Sequence, residues 1–324
     1  MGIAEQYRTR DENPAVRQRT LKSAIDCAGI ALHSGSKVHM TLFPAAPGTG
    51  IVFKRADVTD KDPIVPAQWD RVIDTRLCTM IGNESGATIG TVEHLMSAFA
   101  GCGIDNALVT LDGPEVPVMD GSAEPFVFLI ECAGVVEQNA PRRCIRVLEE
   151  VVYEDDHCSA ALRPARGFSV SFDMDYVDRG IEQQSIRVGL VNGTFKKELS
   201  RARTFGFLQD VEMLRSIGLA RGGSLENAVV IDDGRVLNPE GLRYGNEFVR
   251  HKSLDAVGDL YLAGAPIVGH FHGRCSGHAA NNRLLRRLFE SESAWSIDIL
   301  TQNEEAAARA AGFWNEELPL AATA

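Results

Sequence analysis

One order of elements occurs once in each half of this chain, and it restricts the fold more than any other feature. A helical stretch, a glycine stop, a strand, a glycine-containing loop and a second helix read over residues 92–133, and the same order returns over 249–289. The helices are predicted at 92–100, 122–133, 249–262 and 279–289, and the strands following the first helices at 107–111 and 267–271. Earlier strands are predicted at 20–25, 38–43, 51–53 and 76–81 in the first half, and at 160–162 and 168–172 in the second. The regular strand-helix alternation of a doubly wound sheet is missing, and strands followed by helices suit two α+β layers. The expectation is an internal duplication: two similar α+β domains, each a sheet-and-helix layer, packed helix face to helix face. The 324 residues are enough for two domains of ordinary size. The boundaries expected are a flexible leader at 1–18, a first domain at 19–138, a second at 142–310 and a tail at 311–324.

One segment breaks the repeat. Residues 203–231 read as a strand-helix-strand insert rich in Phe and Leu, with Gly222-Gly223-Ser224 before its last strand. No counterpart is expected in the first half. The insert could line an apolar groove or extend the core, and composition alone favours the core.

The polar residues on the two first helices carry the chemistry. His251 and Asp255 are four residues apart and share one helical face, and Asp259 continues it one turn later. Alone, such a pair is most often a helical ion pair. In the first half, Glu93 and His94 stand side by side among apolar residues near the matching helix start. If the halves pack helix against helix, His94, His251 and Asp255 can share one divalent ion, in the three-ligand arrangement that leaves a catalytic position open. Glu93 adjoins a ligand and suits a base that takes a proton from water; its other role is a helix-start carboxylate. His278 opens the last helix, where it could steady an oxyanion, donate a proton, or simply cap the helix. Asp259 could hold the His278 proton. Thr204 offers a hydroxyl to an attacked carbonyl, and Lys252 offers a cation. His33, His39, His157, His270 and His272 read as structural.

A net charge of -11 argues against nucleic acid as a partner, since a phosphate backbone demands a basic footprint. The seven cysteines are scattered, with no Cys-x-x-Cys pair, and read as reduced thiols of a cytoplasmic protein. Residues 1–20 lack the apolar run of a signal peptide, and no apolar run reaches the roughly 18 residues of a membrane span. Membrane contact is at most peripheral, and a monomer is expected.

Taken together, six stretches in order resemble the zinc-dependent UDP-3-O-acyl-N-acetylglucosamine deacetylases of lipid A biosynthesis. They are Gly29-Ile30-Ala31-Leu32-His33-Ser34-Gly35, Thr91-Val92-Glu93-His94-Leu95-Met96, Met119-Asp120-Gly121-Ser122, Ala202-Arg203-Thr204-Phe205-Gly206-Phe207, residues 248–259, and Ser276-Gly277-His278. The resemblance spans residues 19–295 and implies two similar α+β domains with zinc between them. It implies hydrolysis of the 2-acetamide of a UDP-linked, 3-O-acylated glucosamine, releasing acetate. It implies that His94, His251 and Asp255 hold Zn²⁺, or Fe²⁺ in the cell, with Glu93 as base, His278 as acid oriented by Asp259, and Thr204 on the carbonyl oxygen. Lys252 and Phe205 are implied as substrate contacts, and 203–231 becomes an acyl-chain passage involving Leu208, Val211, Gly223 and Ser224. Cys78 is a further expected substrate contact. Family members carry a lysine before Ser-Gly-His; Cys275 stands there, so the diphosphate contact is expected from Arg274 or Arg163. No fused second enzyme is expected. The alternative is a catalytically inactive relative that binds a lipid or nucleotide-sugar.

Overall fold

The computed structural model describes residues 14–190 and 193–310, with side chains through 306. The tail at 311–324 and most of the leader lie outside the described residues. In the first half, β1 (Arg17–Leu21), β2 (Ile25–Ile30), β3 (Lys37–Pro44), β4 (Ile51–Arg55) and β5 (Ile64–Pro66) come first. Three short strands follow, β6 (Val72–Asp74), β7 (Met80–Gly82) and β8 (Thr88–Ile89), then α1 (Glu93–Cys102), β9 (Ala107–Leu111), α2 (Glu124–Ala133) and β10 (Val135–Pro141). The second half opens with β11 (Arg143–Val147), β12 (Val151–Glu154), β13 (Ser159–Arg163), β14 (Phe168–Tyr176) and β15 (Ile181–Gly189). It continues through α3 (Thr194–Glu198), β16 (Phe205–Phe207), α4 (Leu208–Ser216), β17 (Val229–Asp232) and β18 (Arg235–Val236). It closes with α5 (Glu247–Tyr261), β19 (Ile267–Arg274), α6 (His278–Glu290), β20 (Trp295–Ile299) and α7 (Gln302–Ala310).

The two halves share one strand order. The first sheet runs β2-β3-β9-β4-β5, and the second contains β12-β13-β19-β14-β15. In both, the strand after the first helix is antiparallel to one neighbour and parallel to the other: β9 to β3 and β4, β19 to β13 and β14. The flanking antiparallel pairs correspond as well, β1 with β10 and β11 with β20. The stretch between the expected boundaries, 138 and 142, is not a linker: β10 runs through Pro141, and only Arg142 stands between β10 and β11.

Each sheet buries one face. Along β3, Val38, Met40 and Leu42 are buried while Lys37 and His39 are exposed, the two-residue period of a half-covered strand. In the first half Leu95 and Phe99 of α1 and Phe126 and Ile130 of α2 join this core; from the second, Phe172, Phe271, Leu254, Leu284 and Leu288 belong to the same buried cluster. The class is α+β. Gly103 ends α1 in the left-handed conformation, at φ 70°, as its sequence position predicts.

α1 and α5 lie directly against each other. A Cβ on Gly258 would fall 1.9 Å from the Glu93 carbonyl oxygen, so only glycine permits this approach. One turn along, Ser97 Oγ donates to the Leu254 carbonyl at 2.9 Å, and Tyr261 Oη donates to the Ile104 carbonyl at 2.8 Å.

Three expectations change. Residues 20–25 are not one strand: β1 ends at Leu21 and β2 starts at Ile25, and between them the chain bends at Lys22, whose N–H donates to the Gly134 carbonyl at 2.8 Å. Residues 76–81 are not one strand: Asp74 accepts from its own neighbour, the Arg76 backbone N–H, at 3.0 Å, and this turn delays the strand to Met80. The 203–231 insert has a counterpart: β16-β17-β18 and β6-β7-β8 are both three-stranded, and both stand between the fifth strand of their half and the helix that enters the crossing, α5 and α1. The sequence concealed this because β6–β8 carry no helix and are only two or three residues long. The larger insert is not simply core, since α4 buries no residue and leaves Met213 and Ile217 55% and 64% exposed. It rests on loops of the first half. The Gly222 N–H donates to the Leu32 carbonyl at 3.0 Å, and the Thr204 N–H to the Gly121 carbonyl at 2.8 Å.

Candidate active site

The crossing of α1 and α5 gathers the polar side chains that their sequences otherwise leave stranded in apolar surroundings. His94 enters from the first turn of α1; His251 and Asp255 enter from successive turns of α5. All three are buried, and one donor atom from each lies within 4.8 Å of the others. The Asp255 Oδ1 is 3.4 Å from His94 Nε2 and 3.3 Å from His251 Nε2. His251 Nδ1 donates to the Ala202 carbonyl at 3.0 Å, which leaves the Nε2 lone pair facing the cluster.

These donors fit a metal ion on their own chemistry. The Asp255 Oδ1 is buried without a hydrogen-bond partner, an arrangement that is costly unless a cation answers it. Burial pushes the His251 imidazole down to about 4, so it is neutral and ready to coordinate. Burial also opposes charge on Asp255, but the two histidines outweigh it and hold the carboxyl well below the usual range. For His94 burial again works against the cation, and Asp255 outweighs it and raises the imidazole. A proton on His94 and a metal between the three donors are thus two answers to the same negative charge.

Beside this cluster stands a proton-handling group. Glu93 is 3% exposed, and its Oε2 accepts the Thr79 backbone N–H at 3.0 Å. Burial raises its carboxyl, with partial relief from His278 and His94. Thr91, two residues earlier, holds φ at 57°, an uncommon value for a β-branched residue, and its strain sits at the start of α1. His278 Nδ1 meets Asp259 Oδ2 at 2.8 Å, and its Nε2 faces Glu93 Oε1 at 3.8 Å. Burial disfavours the imidazolium, but Asp259 and Glu93 outweigh that and push His278 up to about 10. The carboxylates of α5 therefore divide: Asp255 faces His94 and His251, and Asp259, one turn later, faces His278.

Of the expected substrate contacts, Phe205 packs against the cluster, through the His251 ring. Phe205 stacks edge-on to Phe248 at 4.9 Å and stands 6.3 Å from the His251 ring. Thr204 precedes it, with its hydroxyl free of hydrogen bonds to the described residues. Lys252 follows His251; its Nζ lies 3.8 Å from where a Cβ on Gly277 would sit, beside His278, and makes no ion pair among the described residues. Leu208 and Val211 are half-buried on α4, while Gly223 and the exposed Ser224 form the turn that follows α4. Cys78 is buried next to Thr79, and burial, with Glu93, pushes its thiol up to about 12, so it stays protonated.

The structure does not bring Arg163 to the cluster. It pairs with Glu150 at 2.6 Å and stands opposite His270, at the far end of β13 from Ser159 and Arg274. Arg274 ends β19, exposed, three residues before Gly277. Two residues escape sequence reasoning. Thr79 touches both Glu93 and Asp259, and Asn281 donates to Asp259 Oδ2 at 2.9 Å. Asn281 lies one residue short of a full turn past His278, which is a signal in hindsight. Thr79 has none, because its partner is far along the chain.

The chain is similar to known proteins of one family. Residues 18–290 match the family described as UDP-3-O-acyl N-acetylglycosamine deacetylase. A protein of Acidithiobacillus ferrooxidans is 56% identical over 284 residues, covering 87% of this chain and 93% of its own length. One of Chromohalobacter salexigens is 52% identical over 286 residues, covering 87% and 93%, and one of Idiomarina loihiensis is 47% identical over 304, covering 93% and 98%. All three are named UDP-3-O-acyl-N-acetylglucosamine deacetylase.

Proposed function

The chain belongs to the UDP-3-O-acyl N-acetylglycosamine deacetylase family, and on that premise we propose that it hydrolyses the 2-acetamide of UDP-3-O-(3-hydroxyacyl)-N-acetylglucosamine. The products are acetate and the free amine, a step of lipid A biosynthesis. The observation that carries this reading is the buried His94, His251 and Asp255 cluster with Glu93 and the His278–Asp259 pair beside it.

His94, His251 and Asp255 hold the metal, Zn²⁺ or in the cell Fe²⁺, which when bound supplies Lewis-acid polarisation of the carbonyl and of water. Glu93 accepts the proton of the attacking water, and its raised carboxyl brings its proton affinity closer to neutral pH, where a base is most effective. His278 is cationic and either steadies the developing oxyanion or protonates the amine as the C–N bond breaks. Asp259 fixes its tautomer. The Thr204 hydroxyl is assigned to the carbonyl oxygen, and Lys252 and Phe205 to the substrate.

The 203–231 segment takes the acyl chain, with Leu208, Val211, Gly223 and Ser224 in contact. Arg274, unpaired among the described residues, is the better of the two arginines for the diphosphate, given where Arg163 lies. The division into domains at 19–138 and 142–310, a monomeric state and a cytoplasmic location complete the reading. Among the described residues no helix is long and apolar enough to cross a membrane. A merely binding relative would gain nothing from keeping Glu93 buried beside two histidines, which costs stability. Acetate release from the UDP-linked acylated sugar tests the reading: turnover by the metal-loaded protein supports it, and binding without acetate release overturns it.

A further inference from the structure

Thr79 lies in the turn between β6 and β7 and is 1% exposed. Its backbone N–H donates to Glu93 Oε2 at 3.0 Å, and its hydroxyl donates to Asp259 Oδ1 at 2.6 Å. The other Asp259 oxygen, Oδ2, receives His278 Nδ1 at 2.8 Å and Asn281 Nδ2 at 2.9 Å. Three donors on two oxygens fix the plane of that carboxylate, and with it the imidazole. Thr79 itself is held from behind, because its carbonyl accepts the Val92 N–H. One residue of the first half thus grips the base directly and the acid through its partner, on a helix 180 residues away.

The distance that results is informative. Glu93 Oε1 and His278 Nε2 stand 3.8 Å apart. A buried carboxylate and a buried imidazolium left free to meet would close to a charge-assisted hydrogen bond of about 2.7–2.9 Å. In that contact the proton is shared between them, and neither group is free for water or amine. Held short of contact, each keeps its own proton state and faces the space between.

We propose that Thr79 is a positioning residue whose hydroxyl, through Asp259, keeps His278 from collapsing onto Glu93. The inference rests on the deacetylase reading above. It also gives the small β6–β8 sheet a purpose: it delivers Thr79 to the crossing of α1 and α5.

The test compares Thr79→Val, which keeps the shape and the backbone N–H but loses the hydroxyl, with Thr79→Ser, which keeps the hydroxyl. In Thr79→Val, kcat falls on the order of 10–100-fold, the scale expected when reacting groups are misplaced by about 1 Å, and KM stays within about twofold, since no substrate contact is lost. Thr79→Ser recovers most of kcat. The second readout needs no turnover: in metal-free protein, the low-field proton resonance of His278 Nδ1 moves or broadens in Thr79→Val and returns in Thr79→Ser. Wild-type kcat and an unmoved resonance in Thr79→Val overturn the proposal. Equal damage in Val and Ser overturns it too, because the hydroxyl is then not the agent. If the wild-type protein releases no acetate at all, the deacetylase reading fails instead, and the resonance still decides the role of Thr79.

Discussion

The two halves of this chain use one strand order and put opposite demands on it. α1 brings Glu93 and His94 on consecutive residues at its first turn, whereas α5 spreads His251, Asp255 and Asp259 along successive turns of one face. The inserts differ in the same way. β6-β7-β8 sends Thr79 inward to two carboxylates, while β16-β17-β18 and α4 stay partly exposed and rest on loops of the other half. A duplicated frame supplies two equivalent helices that can cross. The chemistry comes from how their crossing residues diverged, so neither half holds a complete site.

The sharpest division proposed lies within α1, where the neighbours Glu93 and His94 are assigned different roles. Glu93→Ala removes the proposed base, and kcat should fall about 10²–10⁴-fold, as loss of general base catalysis generally costs; initial rates of acetate release check this. A loss under tenfold would mean that the base comes from elsewhere.

The crossing itself is tested at glycine. Gly258→Ala puts a methyl against the Glu93 backbone, 1.9 Å from its oxygen, so the helices must part. Overpacking of this kind costs about 1–3 kcal/mol or more, and thermal melting should show it together with weaker metal retention. Gly101→Ala, on α1, meets the Phe195 ring at 2.0 Å instead, and a side chain can yield where backbone cannot. Equal losses in the two variants would erase the special standing of the crossing.

The inserts differ more gently. Leu208→Asp should weaken the acylated substrate about tenfold while leaving a substrate without the acyl chain nearly unchanged, because each buried methylene is worth about 0.8 kcal/mol. Comparable KM changes for both substrates would remove the insert from chain recognition.

The smallest effect is a shift along the pH axis. On the proposed roles, catalysis needs Glu93 ionised and His278 protonated, so kcat/KM should be bell-shaped, rising as Glu93 loses its proton and falling as His278 does. Asp259 and Glu93 raise His278 to about 10, so the basic limb lies above the free-histidine value of about 6.5. Asp259→Asn removes one of those charges and should bring that limb to lower pH. The two limbs belong to interacting groups and titrate as a set. An unmoved basic limb would assign it to another group.

Much of this is legible in the sequence, and the reason differs from residue to residue. His251, Asp255 and Asp259 announce themselves because α5 is buried almost throughout, so polar residues at helical spacing stand out against Leu254, Val257 and Leu260. The repeat of helix, strand and helix is legible because glycines mark its ends. The match between the two inserts is not, since three short strands leave almost no period to read. Thr79 is invisible for another reason. Its two hydrogen bonds reach residues 14 and 180 positions away, and nothing in Cys78-Thr79-Met80 distinguishes it from any strand threonine. Gly258 looks like a weakness in a helix until the opposing backbone is seen.

The central claim is that one metal ion is held jointly by both halves, through His94 from α1 and His251 and Asp255 from α5, with Glu93 beside it as a base and not a ligand. Metal content per chain, measured by elemental analysis on wild type, His94→Ala and Glu93→Ala, tests this on two adjacent residues. The prediction is about one ion in the wild type and in Glu93→Ala, and a small fraction of that in His94→Ala, following the three-ligand arrangement of catalytic sites. Full metal in His94→Ala, or loss of metal in Glu93→Ala, would contradict it.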